Sequence, residues 1–374
     1  MKTTRLSLLL AGLASMAAGC QPETETPARA PTAELASRKA ALTVGTWTSN
    51  SSSLLTRPGG HTATLLNGPG DVLVTDGNGS DVYNPYTNAW RRTASMTTAR
   101  FYHTATELPS GKVLVAGGHA RNDWALLSSA ELYDPATGTW SSTGSTFVPR
   151  AQHTSVLLDS GKVLVAGGKQ PSDRYGPIGP PGEVYDPETG TWTEVQGIFT
   201  SRSRTAATVL YSGKVLVTGG YRYWPEPDGF ASAEVSIYDP ATNSWSYAPN
   251  MARARHGHSA IRLYSGKVLV AGGISGGNTV ELYDPYTNQW SLGPPLPFTD
   301  TLFFSATLLY SGEVLVTGDG GQAALYDPST STWNTTPNMS VGRAEPAATL
   351  LHTGEVLLVG GSSSSPRAVE RFTR

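Results

Sequence analysis

The chain has 374 residues, 39% hydrophobic and 15% charged, which is long enough to bury a large core and too evenly mixed to be disordered. Its formal net charge of -2 lacks the clustered Lys and Arg that neutralise phosphates, so no nucleic-acid partner is expected. The 41 glycines and 26 prolines suit many tight turns.

Residues 1–19 read as an export signal. Lys2 and Arg5 make a basic start, Leu6 to Ala18 an apolar core too short to span a bilayer comfortably, and Ala17-Ala18-Gly19 a small-residue cleavage site. Cys20, the only cysteine in the chain, comes next, and Ala-Ala-Gly-Cys resembles the lipobox of bacterial lipoproteins. The resemblance implies cleavage before Cys20 and its lipidation; an ordinary cleaved signal with an incidental cysteine is the alternative. Gln21 rather than Asp follows, which in that family implies sorting to an outer membrane where the cell has one. Residues 20–42 are rich in Pro, Thr, Ala and Glu without apolar periodicity, as in a flexible tether. The expected location is outside the cytoplasm, lipid-anchored in the cell envelope.

From residue 43 to the end one pattern recurs. Its clearest copy has Arg100 and His103, the turn Ser110-Gly111-Lys112, the apolar run Val113–Ala116, the pair Gly117-Gly118, then Glu131-Leu132-Tyr133-Asp134-Pro135 and Trp140. Gly167-Gly168, Tyr185 and Trp192 repeat it, as do Gly219-Gly220, Tyr238 and Trp245, then Gly272-Gly273, Tyr283 and Trp290. Looser copies surround Tyr83 with Trp90 and Tyr326 with Trp333, and the last copy ends at Phe372 without a Trp. A period of about 40 to 50 residues with four short strands per copy predicts a propeller. The Gly pair, Tyr and Trp at this spacing resemble the kelch repeat. Trp47 stands unpaired before the first copy, as though the last copy's fourth strand had moved to the front. Seven such Trp residues and seven Gly-pair positions predict an all-β, seven-bladed kelch-type propeller over residues 43–374, closed by an N-terminal strand joining the C-terminal blade, and expected as a monomer.

Candidate chemistry is sparse. Gly273-Ile274-Ser275-Gly276-Gly277 fits the G-x-S-x-G pattern, but a strand rather than a helix is expected after it. Asp76–Asp81 lacks the Gly and Glu of an EF-hand loop, and His256-Gly257-His258 has no third ligand at a ligand-like spacing. Copper oxidases that resemble kelch propellers need a Tyr crosslinked to Cys, and Cys20 is committed to lipid. No metal, cofactor or catalytic residue is therefore assigned.

What recurs is the approach to the first strand. His61, His103, His153, Thr205, His258, Phe304 and Pro346 occupy one position, with Arg100, Arg150, Arg202, Arg255 and Arg343 three residues earlier. These side chains are expected to ring one mouth of the channel, either bonding loop carbonyls between blades or contacting a ligand. On the same face three adjacent loops are long: 119–130, 169–182 and 221–235. They carry Trp124, Tyr175, Tyr221, Tyr223, Trp224 and Phe230, placed either to bind or to fold over the blade edges. The expected function is a binding module for a protein or glycan at the envelope, using Trp124, Tyr175, Tyr223 and Trp224 with Arg100, His103, Arg150, His153, Arg202, Arg255 and His258. A carbohydrate-active enzyme with its site in the same mouth, and a structural envelope protein, are the alternatives.

Overall fold

The computed structural model describes residues 45–374 apart from 56–58, 78, 172–181, 196, 198–201, 224–228, 300–304 and 362–363. Cys20 with the leader and tether, and the loop aromatics Tyr175 and Trp224, lie outside the described residues. Among the described residues no helix is long and apolar enough to cross a membrane.

Each repeat folds as a four-stranded antiparallel blade. In the second blade the apolar run becomes the strand Val113–Ala116, buried at all four positions because neighbouring blades cover both of its faces. The innermost strand Thr104–Glu107 precedes it, and Ala130–Asp134 and the outermost Thr139–Thr143 follow, with Thr104, Ala116, Ala130 and Thr143 aligned across the sheet. Asp134 makes the third turn by accepting from the Ala136 amide at 3.0 Å; Asp186 and Asp239 do the same one and two blades on.

Six blades are continuous in sequence, and the seventh is composite. In it Ala347–Leu350, Val356–Val359 and Val369–Thr373 are completed by Thr46–Ser49 from the other end of the chain. The seven-bladed propeller therefore closes as the displaced Trp47 predicts. Trp47 sits opposite Phe372 with ring centroids 5.1 Å apart, matching Tyr133 with Trp140 at 5.1 Å and Tyr238 with Trp245 at 5.3 Å.

The core is a ring of clusters between blades. Leu73 and Val82 of the first blade meet Val113, Val115 and Tyr133 of the second, and so on round to Val72, Val74 and Tyr83 against Leu357, Val359 and Val369 of the seventh. Outer Trp side chains add polar ties: Trp140 Nε1 donates to the Ala94 carbonyl at 2.9 Å and Trp192 Nε1 to the Gly144 carbonyl at 2.7 Å, both in the preceding connection.

At Gly117 and Gly219 the first Gly of the pair is required by close approach of the next blade. Gly117 has φ +64°, and a Cβ there would lie 2.5 Å from the Arg150 carbonyl oxygen, to which the Gly118 amide donates at 2.8 Å.

Because the half-buried Trp47 packs against the cluster between the sixth and seventh blades and its strand completes the last blade, removing residues 21–50 should cost several kcal/mol more than removing residues 21–40, with about 3 to 5 kcal/mol for a fully buried Trp as the upper bound on that side chain's share. Urea unfolding of the two deletions checks this, and equal midpoints would contradict the closure.

Candidate binding site at the channel mouth

The recurrent arginines do not face the mouth as the sequence led us to expect. Arg100, Arg150, Arg202, Arg255 and Arg343 are completely buried, each aimed outward along its own blade at a Glu near the start of the third strand. Arg150 Nη1 donates to the Gly167 carbonyl at 2.8 Å and Nη2 to Glu183 at 2.6 Å. Arg100, Arg255 and Arg343 repeat the arrangement with Gly117 and Glu131, Gly272 and Glu281, Gly360 and Glu370. The carboxylates also accept backbone amides, Thr97 and Thr98 for Glu131, and Phe147 and Val148 for Glu183. Burial lowers the pKa of Arg100 and Arg255, and takes Arg202 down to about 10, with the Glu partners opposing the shift. For Glu131 burial acts upward, but bonds from Thr97, Thr98 and Arg100 outweigh it and its pKa is lowered. Sequence signals for these partners existed: blades with the Arg carry the Glu, two residues before Tyr133, Tyr185, Tyr283 and Phe372 and four before Tyr238.

The histidines do line the mouth, but one ring nitrogen of each is engaged between blades. Nε2 of His103 lies 2.8 Å from Thr75 Oγ1, Nε2 of His153 2.8 Å from Thr104 Oγ1, and Nε2 of His258 2.7 Å from Thr218 Oγ1, each Thr in the preceding blade. Burial first, then the neighbouring Arg150 or Arg255, push His153 and His258 well below the usual histidine pKa, so both are neutral.

The residue just before each His position builds the site, and the sequence reading passed over it. Here stand Gly60, Tyr102, Gln152, Arg204, Gly257 and Glu345, all with positive φ; the non-glycines lie between +53° and +56°. Their backbones link blade to blade in a collar: the amide of Tyr102 donates to Gly60, Gln152 to Tyr102, Arg204 to Gln152 and Gly257 to Arg204, at 2.8 to 3.0 Å. Left-handed backbone in a non-glycine residue is strained and persists where the surroundings over-determine it, commonly at ligand sites. The available clue was variability: this position changes chemistry from copy to copy while its neighbours repeat.

The collar residues and the histidines enclose a cavity of about 300 Å³. Arg204 Nη2 and Glu345 Oε1 face each other at 3.4 Å. The Tyr102 hydroxyl bonds Glu345, whose pKa burial raises and Arg204 partly restores. With the Gln152 amide turned to satisfy both of its ends, its oxygen accepts from Arg204 Nη2 at 3.2 Å and Nε at 3.3 Å. A side cavity of about 200 Å³ adjoins, sharing Gln152 and Arg204 and walled by Ser203, Tyr221, Tyr223 and His256. Tyr221 meets Tyr223 and His256 edge-on at 5.0 and 5.1 Å. Burial, then Arg204, lower His256 to a pKa of about 4, leaving it neutral.

Trp124 stands beside this mouth, 59% exposed on a left-handed backbone. It stacks on Phe101 at 6.1 Å and lies 6.5 Å from Tyr102, while its carbonyl accepts from His119 Nδ1 at 2.8 Å. Of the residues expected to bind, Trp124, Tyr223, His103, His153 and His258 are thus at the mouth, and Arg100, Arg150, Arg202 and Arg255 are sealed beneath it. Asp123, one of the loop acids, caps the Ala125 amide. Among the described residues no three His, Cys, Asp or Glu side chains converge to hold a metal.

These features define a β-propeller with a substituted mouth. The chain belongs to the kelch-repeat family: the model described as the KLHDC2/KLHL20/DRC7 Kelch-repeats domain matches residues 102–318. Among curated proteins it is similar to human Kelch-like protein 23, 32% identical over 83 residues that cover 22% of this chain and 14% of that protein. It is also similar to the spermatocyte protein spe-26 of Caenorhabditis elegans, 30% identical over 25% of this chain and 15% of that protein. The matched stretches thus span about one-seventh of these relatives' own length. Among solved structures, a fungal alcohol oxidase of the AA5 family in complex with copper aligns with TM-score 0.67 and 18% identity, over 88% of this chain and 76% of that one, a likeness of fold.

If the buried pair matters as the geometry indicates, Arg150→Ala should destabilise the propeller by about 3 to 5 kcal/mol through the stranded Glu183 charge, whereas Arg150→Met with Glu183→Gln, which removes the charge but keeps an acceptor for the Phe147 and Val148 amides, should recover part of the loss. Urea denaturation of the two variants measures the difference.

Proposed function

We propose that this chain is a lipid-anchored cell-envelope binding module that holds a partner at the collar mouth. Kelch propellers are generally protein-interaction modules. The observation that carries the reading is the collar: a position of uniform strained backbone with non-uniform chemistry, opening into a cavity with one ion pair and flanked by the exposed Trp124. Uniform geometry with variable side chains is what a scaffold shared among family members needs to recognise a particular partner. The lipobox at Cys20 supports anchoring, and Gln21 supports an outer-membrane destination.

A glycan is the second reading for the partner. Arg204 is matched by Glu345 and the imidazoles of His153, His256 and His258 are neutral, so this part of the cavity presents paired donors and acceptors rather than net charge, beside aromatic faces that suit a sugar ring. Glycoside hydrolysis would require two facing carboxyl groups, and among the described residues lining the cavity Glu345 is the single carboxylate.

Two experiments test the proposal. Cys20→Ala should abolish fatty-acid incorporation and release the protein from membranes; equal labelling of the variant would reject the anchor. Partner identification by crosslinking in the native envelope, followed by affinity measurement, tests the mouth. Ala at Trp124 or Tyr223 should weaken binding by more than about 1 kcal/mol without unfolding, and Lys112→Ala or Lys162→Ala in the opposite turns should leave it unchanged. Arg204→Gly should also weaken binding while relieving left-handed strain, so its melting temperature separates recognition from folding. Lysine effects with silent aromatics would move the function to the other face.

A further inference from the structure

The face opposite the mouth carries a feature that partner binding at the collar leaves unused. The first turn of each blade lies there, at the far end of the innermost strand. In three consecutive blades this turn begins with tyrosine: Tyr211, Tyr264 and Tyr310, each more than half exposed. The equivalent residues are Pro109 and Asp159 in the second and third blades and His352 in the seventh, so the first-turn tyrosines occupy one side of the face, while Tyr86, 63% exposed in the third turn of the first blade, lies beside Gly70 instead. Tyr286, in the third turn of the fifth blade, is 75% exposed and joins the same patch, with its hydroxyl beside Gly266. The rings are held in sequence: the Tyr211 hydroxyl donates to the Tyr264 carbonyl and the Tyr264 hydroxyl to the Leu309 carbonyl, both at 3.4 Å.

The N-terminal approach to the propeller reaches it on this same face. Thr46 pairs with Thr373, and the third strand ends away from the mouth, so Gly45 lies at the tight-turn end of the seventh blade. The adjoining Arg374 donates from Nη2 to Glu313 at 2.8 Å, and Glu313 belongs to the turn that begins with Tyr310. The chain from the anchor thus arrives beside the tyrosine patch. The covalent length from residue 21 to 44, at most about 3.5 Å per residue, sets the distance within which an anchored Cys20 can lie from this face. The charges here are matched, Lys214 with Asp239 at 2.9 Å and Lys267 with Asp284 at 3.3 Å, so the face opposes neither zwitterionic nor weakly anionic headgroups.

We propose that the tyrosine-bearing face of blades four to six rests on the bilayer surface, its rings at the headgroup level, with the collar mouth turned away from the membrane. Tyrosine has an apolar body and a polar tip and is favoured at the membrane–water boundary. A tether that delivers this patch to the surface raises its effective concentration there, so weak contacts suffice. The proposal rests on the anchoring of Cys20 for delivery, but the patch itself is testable without it.

The test is tyrosine nitration read by mass spectrometry. The purified lipoprotein is placed in vesicles of phosphatidylethanolamine and phosphatidylglycerol and compared with the same protein after proteolytic release within residues 21–42. Tyr211, Tyr264, Tyr286 and Tyr310 should react about threefold or more slowly on vesicles than after release, while Tyr223 at the mouth reacts equally in both. Equal rates at the patch overturn the proposal. Protection that persists after release and grows with protein concentration also overturns it, because a second copy would then cover the face. Intact mass reports separately whether Cys20 carries acyl chains. Should it carry none, flotation of the unacylated protein with the same vesicles decides: the surface stands if the wild type floats and Tyr211→Ser/Tyr264→Ser/Tyr310→Ser does not, and falls if neither does.

Discussion

The buried guanidinium organises the blade. From one side chain Arg150 satisfies the carbonyl of Gly167, neutralises Glu183 and so ties the approach segment to the second and third strands of its own blade. Its backbone carbonyl meanwhile accepts from Gly118 of the preceding blade. A charge this deeply placed is tolerated because its two terminal nitrogens meet a carbonyl and a carboxylate; removal of either would strand the rest in a low dielectric. The collar depends on it. With the Arg fixed at one end and the first strand at the other, Gln152 has two residues in which to turn, and the left-handed backbone is the result.

The first and fourth blades depart from this pattern. In the first, Asp81 stands where the second, third, fifth and seventh have Glu; it accepts from the Leu55 amide at 3.1 Å and lies 3.7 Å from the Arg92 guanidinium. In the fourth blade the pair is altered. Glu234 lies two residues farther from its Tyr, is less deeply buried than its counterparts, and takes two bonds from Arg222 at 2.6 and 2.7 Å besides Arg202. Arg222 lies in the loop bearing Tyr221 and Tyr223, so the structural carboxylate of this blade also positions the wall of the side cavity. Departure from the repeat and proximity to the site coincide there.

The propeller was legible because its signals are local and repeated. Apolar runs, Asp-Pro turns and Gly pairs each specify a short-range geometry, and seven copies fix the blade count even where one copy is degenerate. Trp47 was readable for the same reason, its partner being the one place where the pattern lacked a Trp. Depth was not legible. Arg and His three residues apart look alike in sequence, yet the Arg points down the blade to a Glu some thirty residues later while the His turns to a Thr in the blade before. The collar was missed because its message is conformational: Tyr, Gln, Arg and Glu share no chemistry, only a positive φ imposed by their surroundings.

The two faces follow from one strand order. The connections between second and third strands and between blades lie at the mouth, where they are free to lengthen, as in residues 119–130, without disturbing a hairpin. At the other end the tight turns must preserve register, so variation lies in side-chain identity rather than length, and tyrosine opens the first turn in blades four to six. Loop length is therefore the variable on one face and side-chain identity the variable on the other. Because the closing strand runs antiparallel to Val369–Thr373, its first residue, Thr46, lies at the tight-turn end, on the face away from the collar.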